Sequence, residues 1–498
     1  MIRDTNRFTK QNYDVLVIGG GINGAAIAHI ASANGLQVAL VEKNDFASGA
    51  SSKSTKLIHG GLRYLEQFEF DLVYEALKER SIQLKNAAHL VKPLGFIIPL
   101  YKNDRRPLWK MRVGIFLYDL LSVNHLIKRH NFLNRDQVLQ RLPGIKQDGL
   151  AGGILYYDAQ MDDARLCLEN VLSAEQKGAH IANYTKVTAF LKVNGKVTGV
   201  KAVDCLTQNE FEIKAKKIIC AVGPWANELR KFDFIQEKAK MRTTKGVHVV
   251  YNKPFSSEAI LIQSGQDDRI LFIIPWNGQT LIGTTDTDYA GAPDNVSTEP
   301  EDIRYLITEV EKNFPDIKIK QEDIITTFAG LRPLVFKDGA PSKISRKHLI
   351  EQSFSGIYYV MGGKYTTYRK IAEECLQKVF PNRSITAPDP YHVYGSGTIK
   401  ENPEDLAISF EVPVEVVKLL MAKYGRRYST VLSLIKDNPR FKERICACSS
   451  AILAQVEYSI KVEMARRPED IIWRRLGIGF NACETKQCQK VIEEYFKK

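Results

Sequence analysis

The pattern that most constrains the fold is a strand, a glycine turn and a helix close to the start of the chain. Residues 14–18 form an apolar run without helical periodicity, and Gly19, Gly21 and Gly24 follow in GxGxxG spacing before a predicted helix at 22–33. The first glycine of such a motif permits a tight turn, the second lets the backbone approach a pyrophosphate, and the third lets the helix pack against the strand. The pattern predicts a βαβ unit that binds a dinucleotide.

A second predicted strand, residues 37–41, extends this interpretation. It ends at Glu42, where a carboxylate can accept hydrogen bonds from a ribose diol. The run ASGASSKSTKLIHGGLRYLE follows, with hydroxyl side chains that can bond a pyrophosphate and a His-Gly-Gly turn before Arg63 and Tyr64. A lone GxGxxG is weak evidence, but strand, turn, helix, strand and acid fall in register here, which favours a flavin dinucleotide site.

Composition places the chain among globular proteins. Its 498 residues suffice for two or three domains, and 44% hydrophobic with 26% charged residues exclude a disordered or fibrous protein. The polar start lacks the apolar core of a signal peptide, and no apolar run reaches the roughly 18 residues of a membrane-spanning helix. Eight cysteines, several within apolar segments, are typical of small core residues in a reducing compartment, so we expect a cytoplasmic protein.

Four of these cysteines lie late in the chain. Cys446 and Cys448 belong to CAC, and Cys483 and Cys488 belong to CETKQC. A metal or redox site is one interpretation. Neither spacing is the CxxC common in structural zinc sites and no histidine lies nearby, so we expect no metal site and leave the role of these cysteines open.

The net charge of +13 is unevenly distributed, and one basic segment stands out. Residues 105–130 carry six cations and one acid around an apolar stretch, 108–123, that is predicted to be helical. Such a helix can lie on an anionic bilayer with its cations near the headgroups, or it can be a partly buried helix with solvated ends, and the sequence leaves both open. No nucleic-acid-binding motif accompanies the charge, so no nucleic-acid partner is expected.

Local patterns predict the remaining organisation. We expect a long helix at 70–90, a hairpin turning at the Asn-Gly pair 194–195, and a buried strand before Gly223 that returns to the first sheet beside the glycine-motif strand. Residues 240–340 are mostly extended and predict an antiparallel sheet over the cofactor. From about residue 390 the chain has only helical periodicities.

Several side chains are candidates to surround a substrate. They are Arg63 with Tyr64, His248 in KGVHVVY, Arg332 in AGLRPL and Lys364 in MGGKYTTYRK. Taken singly, His248 is as readily an ordinary sheet histidine, and each arginine a surface or ion-paired one. Arg332 and Lys364 nevertheless lie on glycine-flanked turns where side chains can converge. Two or three cations at one site suit a phosphorylated substrate.

Longer blocks carry a resemblance to a known family. The sequences GGGINGAAIA, SSKSTKLIHGGLRYLE, DDARL, GPWAN, IPWNGQTLIGTTDTDY, GLRPL, GGKYTTYRK and WRRLG together resemble FAD-dependent glycerol-3-phosphate dehydrogenases, over nearly the whole chain from Tyr13. The resemblance implies an α/β fold with a Rossmann-like FAD-binding domain of the glutathione-reductase type, an antiparallel-sheet substrate domain and a C-terminal all-α domain. It weakens after Thr367, which leaves the surface used for partners open.

The resemblance also implies domain bounds. Residues 13–385 are expected to form the FAD-dependent oxidoreductase region, and 390–498 the C-terminal helical domain. Within the first region, the FAD-binding parts are about 13–90, 150–235 and 340–380, and the substrate-binding parts are about 91–149 and 236–339.

By the same resemblance, six side chains line the substrate pocket: Arg63, Tyr64, His248, Thr284, Arg332 and Lys364. For catalysis we expect His248 to act as the base and Arg332 and Lys364 to hold the phosphate. Arg63 is expected to orient the hydroxyls or to stabilise the developing carbonyl oxygen. The expected cofactor contacts are Gly19, Gly21, Gly24, Glu42, Ser51, Ser52, Thr55, Val187, Gly223, Lys364, Thr366 and Thr367.

The implied reaction is hydride transfer from C2 of sn-glycerol 3-phosphate to FAD, with dihydroxyacetone phosphate as product and a quinone as the next acceptor. A glycerol-3-phosphate oxidase using oxygen is the near alternative, although the long insertion that oxidase relatives tend to carry is not evident. A non-catalytic flavin-binding regulatory module is the alternative of another class, and it leaves the cations without a role. A peripheral position on the inner face of the cell membrane and a homodimer are further expectations that the sequence leaves open.

Overall fold

Two β-sheets and a C-terminal group of helices make up the regular structure. The computed structural model describes residues 1–102, 104, 108–233, 241–267, 269–335, 347–388, 391–483 and 486–497. The strands are β1 (Asn12–Ile18), β2 (Val38–Val41), β3 (Leu57–Ile58), β4 (Val91–Tyr101), β5 (Asn131–Leu133), β6 (Leu150–Met161), β7 (His180–Ala182), β8 (Thr185–Val193), β9 (Lys196–Asp204), β10 (Glu210–Cys220), β11 (Met241–Tyr251), β12 (Ala259–Gln263), β13 (Ile270–Trp276), β14 (Gln279–Gly283), β15 (Thr287–Asp288), β16 (Ile324–Val335), β17 (His348–Gln352) and β18 (Ile357–Gly362). The helices are α1 (Ile22–Ala33), α2 (Phe70–Asn86), α3 (Leu108–Leu121), α4 (Arg135–Arg141), α5 (Asp163–Gln176), α6 (Ala226–Lys231), α7 (Pro300–Asn313), α8 (Tyr368–Val379), α9 (Pro403–Phe410), α10 (Val414–Tyr424), α11 (Tyr428–Asp437), α12 (Leu453–Lys461) and α13 (Gln487–Tyr495).

The first sheet has eight strands in the order β17-β18-β10-β1-β2-β7, with β9 beside β10 and β8 beside β9. Strands β18, β10, β1, β2 and β7 run parallel. Alternate residues of β1 face opposite sides, so Val15 and Val17 pack with α1, α5 and α8, whereas Leu16 and Ile18 pack with β8, β9 and β10. The return of β10 to β1 and the hairpin turn at 194–195 confirm the sequence predictions.

The second sheet has ten strands in the order β15-β11-β14-β13-β12-β4-β6-β3, with β16 beside β11 and β5 beside β6. The extended character expected for 240–340 is confirmed in the described part of that range by β11–β16. The structure differs from the expectations in two places. Strand β6 pairs with β4 along its length, so residues 150–161 belong to this sheet rather than to the FAD-binding part. Helix α7 interrupts the extended region, because Pro300 opens the helix and two acids follow in its first turn.

Two predicted helices end earlier than expected. Helix α2 stops at Asn86 instead of residue 90, because the chain turns into β4 through a Leu90 N to Ala87 O bond of 2.8 Å. Helix α3 stops at Leu121, where the Ser122 hydroxyl donates to Asp119 O at 2.9 Å and closes a turn. Parts of the predicted segments, at 105–107, 236–240 and 340–346, lie outside the described residues.

The C-terminal region contains α9–α13, which confirms the expected all-α character, and buried ion pairs join it to the first sheet and its helices. Arg165 of α5 pairs with Glu463 at 2.8 Å, and Arg475 pairs with Asp45 at 2.6 Å, with side chains at most 1% exposed. Because breaking a buried pair leaves an uncompensated charge, these contacts fix the position of the C-terminal region. No helix in the described ranges is long and apolar enough to cross a membrane.

Candidate active site

The glycine turn between β1 and α1 forms one end of a large cavity. Gly19 adopts φ +110°, and a Cβ on Gly24 would collide with the Gly19 carbonyl oxygen, so this helix can approach the turn only with glycine at position 24. Gly21 is the N-cap of α1 and provides no side-chain cap. The hydroxyl of Ser51 accepts a bond from Ile22 N at 2.9 Å. The first turn of α1 therefore faces the cavity beside a hydroxyl, as an anion site requires.

Glu42 lies at the end of β2, on the same wall. Its Oε2 accepts from Gly20 N at 2.7 Å and its Oε1 accepts from Asn44 N at 2.9 Å. Burial raises the pKa of this carboxyl. Glu42 thus holds the glycine turn in place and still lines the cavity, where each oxygen retains a second lone pair.

The cavity has a volume of about 570 Å³ and is lined from both sheets. Most of the residues proposed from the sequence line it: Gly19, Gly21, Glu42, Ser51, Thr55, Arg63, Tyr64, Val187, Gly223, His248, Thr284, Arg332, Lys364 and Thr366. Gly24, Ser52 and Thr367 do not. Gly24 packs the helix, the Ser52 carbonyl accepts from Lys56 Nζ at 2.8 Å, and the buried Thr367 hydroxyl bonds Lys364 O at 3.4 Å.

His248 is buried in the middle of β11, between β14 and β16. Its ring stacks on Phe328 with centroids 4.8 Å apart, and its Nε2 lies 3.0 Å from the Thr55 hydroxyl. Its Nδ1 has no hydrogen-bond partner among the described residues. Burial, with smaller effects of the Arg332 and Lys56 charges, holds the pKa of His248 well below its usual value. The imidazole is therefore neutral at neutral pH.

Arg332 of β16 lies near His248 and is oriented by several acceptors. Its guanidinium donates to Asp286 Oδ1 at 2.9 Å and to the Thr284 hydroxyl at 2.8 Å. A Cβ on Gly246 would come within 2.8 Å of Nη1, so this glycine makes room for the guanidinium. The sequence drew attention to Arg332 and Thr284, whereas Asp286 and Gly246 were missed because their role depends on strand pairing.

Lys364 approaches the cavity from the turn after β18. Its Nζ lies 3.3 Å from Gly60 O and 4.7 Å from the centroid of the Tyr64 ring. Arg63 also contacts the Tyr64 ring, with its guanidinium carbon 5.9 Å from the centroid. A turn of 3-10 helix, Tyr365–Thr367, separates Lys364 from α8. The two cations predicted from separate motifs therefore meet at one tyrosine.

A buried polar network fixes the His-Gly-Gly loop, and sequence reasoning missed it. Asp158 of β6 accepts from Gly60 N at 3.2 Å and from the Tyr118 hydroxyl at 2.8 Å, and it also pairs with Arg80. The Asp158 charge helps to raise the pKa of Arg80 against the effect of burial. No local signal marks Asp158, because an aspartate within a strand is not recognisable as a loop anchor until the fold brings the loop to it.

Two lysines of the SSKSTK segment were also missed. Burial, together with the nearby Lys56 charge, lowers the pKa of Lys53 to about 8. Lys56 pairs with Asp163 at 2.5 Å, and its Nζ lies 5.4 Å from the centroid of the Phe328 ring. Lys53 lines the cavity, so a further positive charge faces the space that the glycine turn opens.

This geometry suits a flavin dinucleotide. Gly21, the first turn of α1 and the Ser51 hydroxyl can take a diphosphate, and Glu42 can take a ribose. Lys53, Thr55, Thr366 and Lys364 line the continuation of the cavity between the two sheets, where a ring system would have to lie.

The four late cysteines, whose spacing gave little indication of a shared site, are brought together by the fold. Their Sγ atoms all lie within 4.8 Å of one another. They lie in the C-terminal region, outside the residues that line the cavity. The sequence predicts no metal site, whereas the fold places these four cysteines close enough together to bind one metal ion.

Comparison with known proteins gives the same picture along the whole chain. Residues 14–369 match the family described as FAD dependent oxidoreductase, and residues 389–498 match the C-terminal domain of alpha-glycerophosphate oxidase. The aerobic glycerol-3-phosphate dehydrogenase of Staphylococcus aureus (strain USA300) is 37% identical over 489 residues, covering 94% of this chain and 87% of the relative. That of Staphylococcus haemolyticus (strain JCSC1435) is 38% identical over 517 residues, covering 98% and 91%. The crystal structure of the glycerol-3-phosphate dehydrogenase from Bacillus halodurans complexed with FAD matches with a TM-score of 0.80 and 31% identity, covering 99% of this chain and 92% of that one.

Proposed function

This chain belongs to the family of FAD-dependent oxidoreductases, and from that premise we propose that it oxidises sn-glycerol 3-phosphate to dihydroxyacetone phosphate and passes the electrons to a quinone. One observation supports the proposal most strongly. A neutral imidazole and three cationic side chains line the same cavity as the glycine turn; they are His248, Arg63, Arg332 and Lys364. The relatives that carry the name glycerol-3-phosphate dehydrogenase agree with it.

The cations account for a phosphorylated substrate. A guanidinium has five N–H donors, so Arg332 can bind a phosphate while it keeps its bonds to Asp286 and Thr284. Lys364 adds a point charge from the opposite wall, and only 9% of its surface is exposed. Desolvated cations interact with phosphate more strongly than exposed ones do, because less water screens them.

His248 accounts for the proton of the C2 hydroxyl. Its pKa is held well below its usual value, so the ring is uncharged and its buried Nδ1 can accept a hydrogen bond. Arg63 and Tyr64, on the loop that Asp158 anchors, would orient the remaining hydroxyls. Bound FAD supplies the two-electron acceptor for the hydrogen at C2.

Anaerobic mixing with glycerol 3-phosphate tests this proposal. We expect the flavin absorbance to bleach with the substrate and to bleach much more slowly with glycerol at the same concentration. Persistence with glycerol 3-phosphate would favour the non-catalytic flavin-binding module instead.

A variant tests the phosphate contact. Arg332→Ala should lower kcat/KM for glycerol 3-phosphate about 10- to 100-fold, since hydrogen bonds to charged groups contribute about 1.5–3 kcal/mol. Activity towards glycerol should change much less. Arg304→Ala, which removes an exposed arginine of α7, is the matched control. Equal losses for both substrates would refute the phosphate contact at Arg332.

The proposed electron acceptor is a quinone, and α3 is the part of the molecule that bears on it. A quinone dissolved in the bilayer requires an enzyme that reaches the membrane, and α3 has a suitable surface. Trp109, Val113, Phe116 and Leu120 repeat at helical spacing and are 67%, 51%, 62% and 56% exposed. Lys110 and Arg112 are exposed beside them. An exposed apolar stripe with flanking cations is typical of a helix that lies on an anionic bilayer.

Vesicle binding tests the membrane surface, and the choice of acceptor can be measured in the same preparation. The protein should sediment with anionic vesicles, and Trp109→Ser with Phe116→Ser should abolish this. Phe354→Ser, at a phenylalanine elsewhere that is 93% exposed, should not. With quinone in the vesicles, substrate should drive quinone reduction faster than peroxide formation. Peroxide as the main product would favour the oxidase alternative.

A further inference from the structure

Four cysteines form a cluster outside the active-site cavity, and the proposed reaction does not use them. The four-cysteine cluster consists of Cys446, Cys448, Cys483 and Cys488. The Sγ atoms of Cys446 and Cys448 are 3.2 Å apart, and those of Cys446 and Cys483 are 3.5 Å apart. These distances exceed the roughly 2.05 Å of a disulfide bond, and all four cysteines are free thiols. Four thiols within 4.8 Å of one another can all coordinate one metal centre.

Two separate pieces of backbone bring the thiols together. The first is a tight loop closed by a bond of 2.9 Å from Ile445 N to Ala451 O, and Arg444 donates to the Ser449 carbonyl across it at 2.9 Å. The second carries Cys483 before α13 and Cys488 in the first turn of that helix. The hydrogen-bonded loop 445–451 therefore holds one pair of cysteines, and α13 holds Cys488.

The surroundings connect the cluster with the active site. Cys446, Cys448 and Cys483 pack against the same apolar core as Trp473 does. The ring of Trp473 lies 5.1 Å from that of Phe480, whose ring lies 5.9 Å from that of Phe328. Phe328 in turn stacks on His248 in the cavity. Continuous ring contacts thus run from the core around the cluster to the wall of the cavity.

We propose that the four-cysteine cluster holds an iron–sulfur cluster that carries electrons out of the flavin site. Four cysteine thiolates are the usual ligands of such clusters. Zinc also takes four thiolates, and its structural sites typically have two to four residues between paired cysteines. The CETKQC pair has four, but the CAC pair has only one, which is outside that range. Three of the four thiols are half-buried, which leaves the centre near the surface where an external acceptor can approach.

The electron-carrying role, unlike the metal site itself, rests on the function proposed above. Oxidation of one alcohol to a ketone releases two electrons and two protons. An iron–sulfur cluster takes one electron at a time, reducing one Fe³⁺ to Fe²⁺, and returns to its oxidised state when it passes that electron on. Two such passages reduce one quinone, which takes up the two protons to form the quinol.

Metal content tests the site directly. Full-length protein, produced with added iron and purified without oxygen, should contain iron and acid-labile sulfide in equal amounts, together with its FAD. Reduction by dithionite should give an electron paramagnetic resonance signal distinct from that of the flavin. One zinc per chain without iron would overturn the proposal, and so would metal-free protein in which all eight thiols titrate on denaturation.

Variants connect the site to its ligands. Cys446→Ser with Cys448→Ser should remove iron, sulfide and the resonance signal, whereas Cys205→Ser, at a half-buried cysteine outside the cluster, should remove none of them. The double variant should retain FAD and its anaerobic bleaching by glycerol 3-phosphate, while its quinone reduction falls at least 10-fold. In the unmodified protein, iron in place without bleaching by glycerol 3-phosphate would refute the proposed function and leave the site standing. Unchanged quinone reduction without iron would refute the electron-carrying role.

A measurement on the unmodified protein covers the case in which the double variant does not fold. Glycerol 3-phosphate is added without oxygen and the sample is frozen. The resonance signal of the reduced cluster should appear, because electrons from the substrate reach it through the flavin. Bleached flavin without that signal would overturn electron transfer to the cluster.

Discussion

The cavity has a cofactor wall, formed by the glycine turn between β1 and α1, and a substrate wall, formed by β11, β14 and β16. Both walls depend on glycine, but the glycines make room for backbone on the first and for side chains on the second. On the cofactor wall, Gly19, Gly21 and Gly24 remove side chains so that the backbone of β1 and α1 can pack closely and face a ligand. On the substrate wall, a Cβ on Gly283 would lie 2.8 Å from His248 Nε2, and one on Gly246 would lie 2.7 Å from the guanidinium carbon of Arg332. These glycines make room for the chain's own His248 and Arg332 side chains.

Because of this difference, the cofactor wall is easier to predict from the sequence than the substrate wall. The cofactor wall is contiguous, since its glycines span six positions and act on one turn. The substrate wall depends on the register of three strands, in which His248 lies opposite Gly283 on one side and Phe328 on the other. We expect substitutions on the first wall to affect FAD retention and those on the second to affect turnover with FAD bound.

The largest effect should come from Gly24→Val. The new side chain meets the Gly19 carbonyl within the backbone of the turn, which cannot move aside, and overpacking of this kind costs about 1–3 kcal/mol or more. The purified variant should contain little or no FAD, measured by absorbance after denaturation. Gly265→Ala is the control, because a Cβ there meets open space. FAD at wild-type stoichiometry in Gly24→Val would show that the turn does not need this close packing.

His248→Gln should keep FAD and lower the anaerobic rate of flavin reduction, by about 10²–10⁴-fold if the imidazole is the base. The pH dependence of the wild-type rate tests the same role. The active imidazole is neutral, and its pKa lies well below the usual value, so the rate should be lost only as pH falls below the range in which an ordinary histidine titrates. The substrate phosphate titrates near pH 6 in both proteins. An acid limb that is the same in wild type and variant would exclude His248 as the base.

The sequence predicts the fold where neighbouring residues decide the structure. The βαβ unit, the Asn-Gly hairpin and the C-terminal helices follow from local periodicity and turn residues. Pro300 and the two acids after it indicate a helix start, but the mostly extended pattern around them led to a strand prediction for α7. Gly246, Gly283 and Asp158 carried none, because their neighbours are set by strand pairing between distant segments. The cysteines are the same case: their spacing gave little indication of a site, and the fold creates it.

Gly283→Ala sharpens the comparison, because it moves His248 without removing it. The ring cannot retreat from the new methyl group, since Phe328 stacks on it at 4.8 Å. A displacement of about 1 Å at a catalytic group can cost about 10²-fold, so flavin reduction should slow by up to that factor while FAD content stays constant. In the His248→Gln background the same substitution should have little further effect, which a double-mutant cycle measures. Additive losses would mean that Gly283 acts on something other than the imidazole.

Gly246→Ala should have the smallest effect of the four. Its Cβ meets the end of the Arg332 side chain, which is flexible and can shift while the backbone stays in place. We expect KM for glycerol 3-phosphate to rise by less than the roughly 10- to 100-fold loss expected for Arg332→Ala, with kcat nearly unchanged, because the contact binds the phosphate rather than the reacting atoms. In the Arg332→Ala background the rise should disappear. A fall in kcat with unchanged KM would instead place Arg332 at the reacting carbon rather than at the phosphate.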